Sequence, residues 1–132
     1  MTVVLASLVR EEWATLLAQG FSISNEDAHR VELTSPNLAL VVTHDPRGEV
    51  EVRAFRPGTN QHYGWSYTGM VGRADVRRLL EIALVEMRAD PAILAGDVEF
   101  YAEVAREKEA TAHAWTVFAA GRGPRPREGK LP

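Results

Sequence analysis

With 132 residues, 45% of them hydrophobic and 25% charged, the chain has the size and composition of one globular domain and is too apolar for wholesale disorder. The absence of cysteine excludes a disulfide framework, a thiolate zinc site and a cysteine nucleophile. The net charge of −3 is unevenly spread: residues 121–132 carry Arg122, Arg125, Arg127 and Lys130 against Glu128, a local +3, so residues 1–120 hold −6. Such an acidic body repels nucleic acid and favours basic partners.

In chain order, Leu5, Leu8, Val9, Trp13, Leu16 and Leu17 recur at helical spacing around Arg10, Glu11 and Glu12, and Gly20 follows as a stop, which predicts a helix over 3–19. The early charges and the missing basic leader argue against a signal peptide. No apolar run approaches the roughly 20 residues of a membrane span, so the expectation is a soluble, cytoplasmic protein. Phe21 and Ile23 suit a short extended segment, and Ser24-Asn25-Glu26-Asp27 a turn. Val31 and Leu33 alternate with Arg30 and Glu32, the pattern of a strand over 29–34.

After Ser35-Pro36-Asn37, the run Leu38-Ala39-Leu40-Val41-Val42-Thr43 reads as a central strand. Asp45-Pro46-Arg47-Gly48 has the residue order of a type I turn with a bulge, so 49–55 should pair antiparallel with 38–43, Val50, Val52 and Ala54 facing in and Glu49, Glu51 and Arg53 out. Arg56-Pro57-Gly58-Thr59-Asn60 turns the chain into a last strand, 62–67. Val76, Leu79, Leu80, Ala83, Leu84 and Met87 form a helical stripe over 74–89. Asp90-Pro91 opens a further helix, and Asp97 can cap a fresh one that runs to Gly121.

The predicted class is therefore α+β: an N-terminal helix, a three- to four-stranded antiparallel meander, and two C-terminal helical segments packed on one face, all within residues 1–120. Residues 121–132, with three prolines and three glycines, are expected to be a disordered tail.

Chemistry is sparse along this chain. No serine sits in a nucleophile elbow, no glycine-rich loop opens a helix after a strand, and the spacing of the histidines matches no ligand motif, so neither a cofactor nor a metal is expected. Arg73, Arg77 and Arg78 make too small a basic patch to argue for nucleic acid against a body of −6. Two features suit protein recognition. Tyr63, Trp65 and Tyr67 stand on alternate positions of one strand, rigid rings with polar handles, unless they simply face the helices as core. Glu99, Glu103 and Glu107 follow at i, i+4 and i+8 on one helix face, a like-charge stripe that disfavours its own helix, partly offset by Arg106 and Lys108.

Val31-Glu32-Leu33-Thr34-Ser35-Pro36-Asn37-Leu38, followed by an alternating strand and the Asp-Pro-Arg-Gly hairpin, is similar to strand openings of the form ESPDL in small α+β immunity proteins of bacterial polymorphic toxin systems. Ala89-Asp90-Pro91-Ala92-Ile93-Leu94-Ala95-Gly96-Asp97 resembles their HPELLRGD segment. The resemblance spans about residues 5–100. It implies a non-enzymatic, cytoplasmic inhibitor that occupies the surface of a cognate, commonly basic toxin, with no catalytic residues. Two alternatives remain at this level. One is a secretion chaperone or adaptor domain, and the other a small enzyme that would need His44, Asp45 and His62 to converge in a cleft.

Overall fold

The computed structural model describes residues 4–59 and 61–123. Two short helices, α1 (Leu5–Glu12) and α2 (Ala14–Ala18), precede five strands, β1 (Ser22–Glu26), β2 (Arg30–Thr34), β3 (Ala39–His44), β4 (Val50–Phe55) and β5 (His62–Tyr67). Three helices follow: α3 (Arg73–Ala89), α4 (Pro91–Ala95) and α5 (Val98–Ala119). The strands form one antiparallel meander in the order β1-β2-β3-β4-β5. The architecture is α+β, as expected, with five strands rather than three or four. The added strand is β1, the segment beginning near Phe21, whose alternation is interrupted by a bulge between Ile23 and Asn25 and so carries little period-2 signal. The disordered tail expected over 121–132 lies, from 124 onward, outside the described residues.

The register explains which side of the sheet is buried. Val31, Leu33, Leu40, Val42, Val50, Val52 and Ala54 lie on one face and are completely buried, joined by Leu5, Leu8 and Val9 of α1 and by Val76, Leu79, Leu80, Ala83 and Met87 of α3. The opposite face carries Arg30, Glu32, Thr43, Glu51, Arg53 and Phe55 and is open. Val41 is on this open face yet only 7% exposed, and it stands in register between Glu32 and Arg53.

The helix expected over 3–19 breaks at Trp13, whose φ and ψ of −109° and 25° leave the α region. The break points the indole inward, where it is completely buried and its Nε1–H donates to the carbonyl of Leu80 at 3.0 Å. The turn chemistry is as the sequence predicts. Gly48 takes φ of 103° and donates its N–H to the Asp45 carbonyl at 2.8 Å, while Asp45 accepts from the Arg47 N–H at 2.8 Å. Asp90 caps α4 by accepting from the Ala92 N–H at 3.0 Å, and Asp97 caps α5 by accepting from Phe100 at 2.8 Å.

The two sheet edges are protected differently. β1 is bulged and polar, with Glu26 paired to Arg10 at 2.7 Å. β5 is flanked by α5, and Lys108 donates to the backbone carbonyl of His62 at 2.6 Å. Partial burial, followed by the nearby Arg53 charge, pulls the Lys108 ammonium below its ordinary value. Among the described residues, no helix is long and apolar enough to cross a membrane.

A candidate interaction site on the aromatic edge strand

Tyr63, Trp65 and Tyr67 lie on the same side of the sheet as the buried core, since Ala54 pairs with Tyr63, Val52 with Trp65 and Val50 with Tyr67. Their β4 neighbours are completely buried, but all three aromatics are only half-buried. The helical layer thus closes over the middle of the sheet and leaves the inner face of β5 partly uncovered, as a seam between α3 and α5. The rings pack as a cluster: Tyr63 meets Trp65 edge to face with centroids 4.9 Å apart and Phe100 of α5 at 5.5 Å, and Phe100 meets Tyr101 at 5.1 Å. The aromatics are neither simple core nor a free ladder. They anchor the cluster at one end and keep surface at the other.

The α3 wall of the seam follows from helical spacing. Arg77 reaches Glu11 at 2.6 Å and Arg88 reaches Thr15 at 2.5 Å, so that flank of α3 faces α1 and α2. Glu86 is two residues before Arg88, about 200° around the helix, and so projects from the flank toward β5. Its carboxylate and that of Asp90 act on the Tyr63 phenol, and Glu86 acts on Tyr67 as well. The Tyr67 hydroxyl is buried and makes no hydrogen bond at bonding geometry, although the Glu86 carboxylate is beside it.

The glutamate stripe of α5 adjoins this seam. Phe100, Glu103 and Glu107 stand at i, i+3 and i+7 and share one side of the helix, so Phe100 links the aromatic cluster to the acidic stripe. Glu99, Glu103 and Glu107 are all exposed. Glu103 is paired with Arg106, at 3.1 Å to its Nε, whereas Glu99 and Glu107 make no ion pair among the described residues. Sequence reasoning named the rings and the stripe but missed Phe100, Glu86 and Asp90. Asp90 was visible only as a cap, and no local pattern tells which flank of α3 faces β5.

The histidines do not converge. His44 pairs with Val50 at one end of the β3–β4 ladder, faces the core, is 5% exposed and hydrogen-bonds through Nε2 to the Met70 carbonyl at 2.9 Å. His62 pairs with Phe55 at the other end and faces the open side. With Asp45 engaged by Arg47, the constellation of His44, Asp45 and His62 does not form a cleft. A shallow concavity of about 630 Å³ does lie on the open face, lined by Arg30, Glu51, Arg53, Phe55, Thr59 and His62 among others. Its charges are balanced internally: Arg30 pairs with Glu32 at 3.6 Å and Arg53 with Glu51. That surface does not select for the sign of a partner's charge.

The seam has a consequence for titration. Burial, reinforced by Glu86, pushes the Tyr67 phenol up to about 12, and burial also raises Tyr63 and Tyr101. These are the only tyrosines in the chain. Near pH 10, where free tyrosine is about half ionised, the native protein should therefore show far less tyrosinate absorbance than the same chain in denaturant. The raised native values mean that this contribution to stability is complete below about pH 10 and is lost as pH rises through them. Half-ionisation of the native protein at pH 10 would show that the phenols are hydrated instead.

No family model matches the chain, and no curated protein or solved structure does either.

Proposed function

We propose that this protein is a binding module for a basic protein partner, most concretely an immunity protein that neutralises a cognate bacterial toxin domain by occluding its surface. The observation that supports the reading is the seam: half-buried Tyr63, Trp65, Tyr67 and Phe100, left uncovered beside Glu86 and Asp90 and continued by the stripe of Glu99, Glu103 and Glu107. Aromatics of this kind act as anchors at interfaces, and acidic groups around them accelerate encounter with a basic surface. The net −6 of residues 1–120 acts in the same direction over longer range.

The test uses tagged protein to retain its partner from native lysate, followed by association kinetics with the purified partner. Replacing all three stripe residues (Glu99→Gln, Glu103→Gln and Glu107→Gln) should slow association about tenfold at low salt and flatten its salt dependence. An unchanged rate and salt slope would remove the acidic stripe from the binding surface.

A further inference from the structure

We infer that the second half of α5 is the contact surface for a second copy of this chain, the two α5 helices packing antiparallel about a two-fold axis between Ala114 and Trp115. Tyr101 and Val104 are the buried residues of α5, and Lys108 ties the helix to the sheet through the His62 carbonyl. None of residues 105–123 is buried. Residues 110–121 nevertheless hold no Asp, Glu, Lys or Arg and include Trp115, Val117, Phe118 and five alanines, where a run of twelve at the chain's 25% would hold about three charges. A solvated helix carries charges on its outer face, as α3 does with exposed Arg78, Glu81 and Arg88, whereas a helix apolar on every side is normally covered.

The row of side chains along this segment points to the occupant. Glu107, Thr111, Ala114 and Phe118 follow at i, i+4, i+7 and i+11, with Trp115 at i+8, so they share one side of the helix, and Arg122 comes just past its end. Read in the opposite direction, the row complements itself. An antiparallel copy sets Ala114 against Trp115, Thr111 against Phe118 and Glu107 against Arg122, a small side chain facing a large one and opposite charges meeting at both ends. Phe118 is 38% exposed and meets Trp115 edge to face at 5.8 Å. Glu107 and Arg122 are exposed, and neither makes an ion pair among the described residues. The charge order extends the match: Glu99, Glu103, Glu107 and Glu109 precede the uncharged run, and the net +3 of residues 121–132 follows it. A parallel copy would set acid on acid, a basic protein would complement only the first part, and an anionic lipid surface only the last.

Sedimentation velocity of the full chain tests the pairing. A few helical turns on each side lie at the low end of specific interfaces, so a monomer–dimer equilibrium with a dissociation constant of about 1–100 µM is expected. Phe118→Glu puts a charge in the contact and should weaken the dimer at least about tenfold, with an unchanged melting temperature because Phe118 lies outside the buried core. Glu107→Arg or Arg122→Glu alone should weaken it about three- to tenfold, and the two together should bring it back to within about threefold of wild type. A monomer at every concentration up to about 500 µM, whether or not it sediments with phosphatidylglycerol vesicles, would overturn the inference. So would a dimer indifferent to Phe118→Glu, or one that the paired charge reversal fails to restore. Retention of a basic partner by a strict monomer would leave the proposed function standing without the dimer, and a dimer that retains no partner would do the reverse.

Discussion

Trp13→Ala should cost about 3–5 kcal/mol of folding stability, the range for removing a buried tryptophan, out of the about 5–15 kcal/mol total of an ordinary domain. The indole is completely buried and is the largest fully buried side chain in the core. It also ties two elements distant in sequence, because its N–H reaches the Leu80 carbonyl on α3 from the junction of α1 and α2. Trp13→Phe should retain most of the packing and lose the hydrogen bond, costing about 1–2 kcal/mol. Urea unfolding followed by circular dichroism measures both: the midpoint should fall in that order with the slope unchanged. Near-wild-type stability of the alanine variant would mean that α1 and α2 are not part of the cooperative core.

Gly96→Ala should be comparably damaging for a different reason. Gly96 ends α4 at φ of 64°, and a Cβ built there would stand 2.4 Å from the Asn37 carbonyl oxygen, a backbone atom of the β2–β3 turn. The left-handed conformation alone costs a non-glycine residue about 1–2 kcal/mol. Relieving the clash requires either the turn or the α4–α5 junction to move, so the total should reach about 3 kcal/mol or more. Gly58→Ala isolates the conformational part, since Gly58 has φ of 77° with nothing within 4 Å of its Cβ position. Equal losses at the two sites would show that the Asn37 contact is not tight. The difference also reports on the seam, because the α4–α5 junction sets where Phe100 meets Tyr63.

Local patterns made most of the scaffold legible. The Asp45–Gly48 hairpin, the alternation of β2 and β4, and the caps at Asp90 and Asp97 each depend on a few neighbouring residues, and each forms where those residues dictate. β1 was less legible because its bulge breaks the period, and the helix break was hidden because Trp13 continues the apolar stripe that the break exists to redirect. Tyr63, Trp65 and Tyr67 could be assigned to one face of β5 but not to a degree of burial. Whether α3 and α5 close over an edge strand is decided by packing between elements some 30 residues apart. For the same reason Phe100 and Glu86 carried no signal: their spacing marks a helix flank, and only the fold says what that flank meets.

Which surface the partner covers is read most directly by amide hydrogen exchange of the protein alone and in complex with the partner it retains. Binding should slow exchange along β5 and in the first turns of α5, around Phe100 and Glu103, and at the end of α3 around Glu86. It should leave the strand ends around Arg30 and Thr43, by the open face, unchanged. Protection confined to the region around Arg30, Thr43 and Glu51, with β5 and α5 exchanging as in the free protein, would contradict the account and move the interface to the charge-balanced concavity.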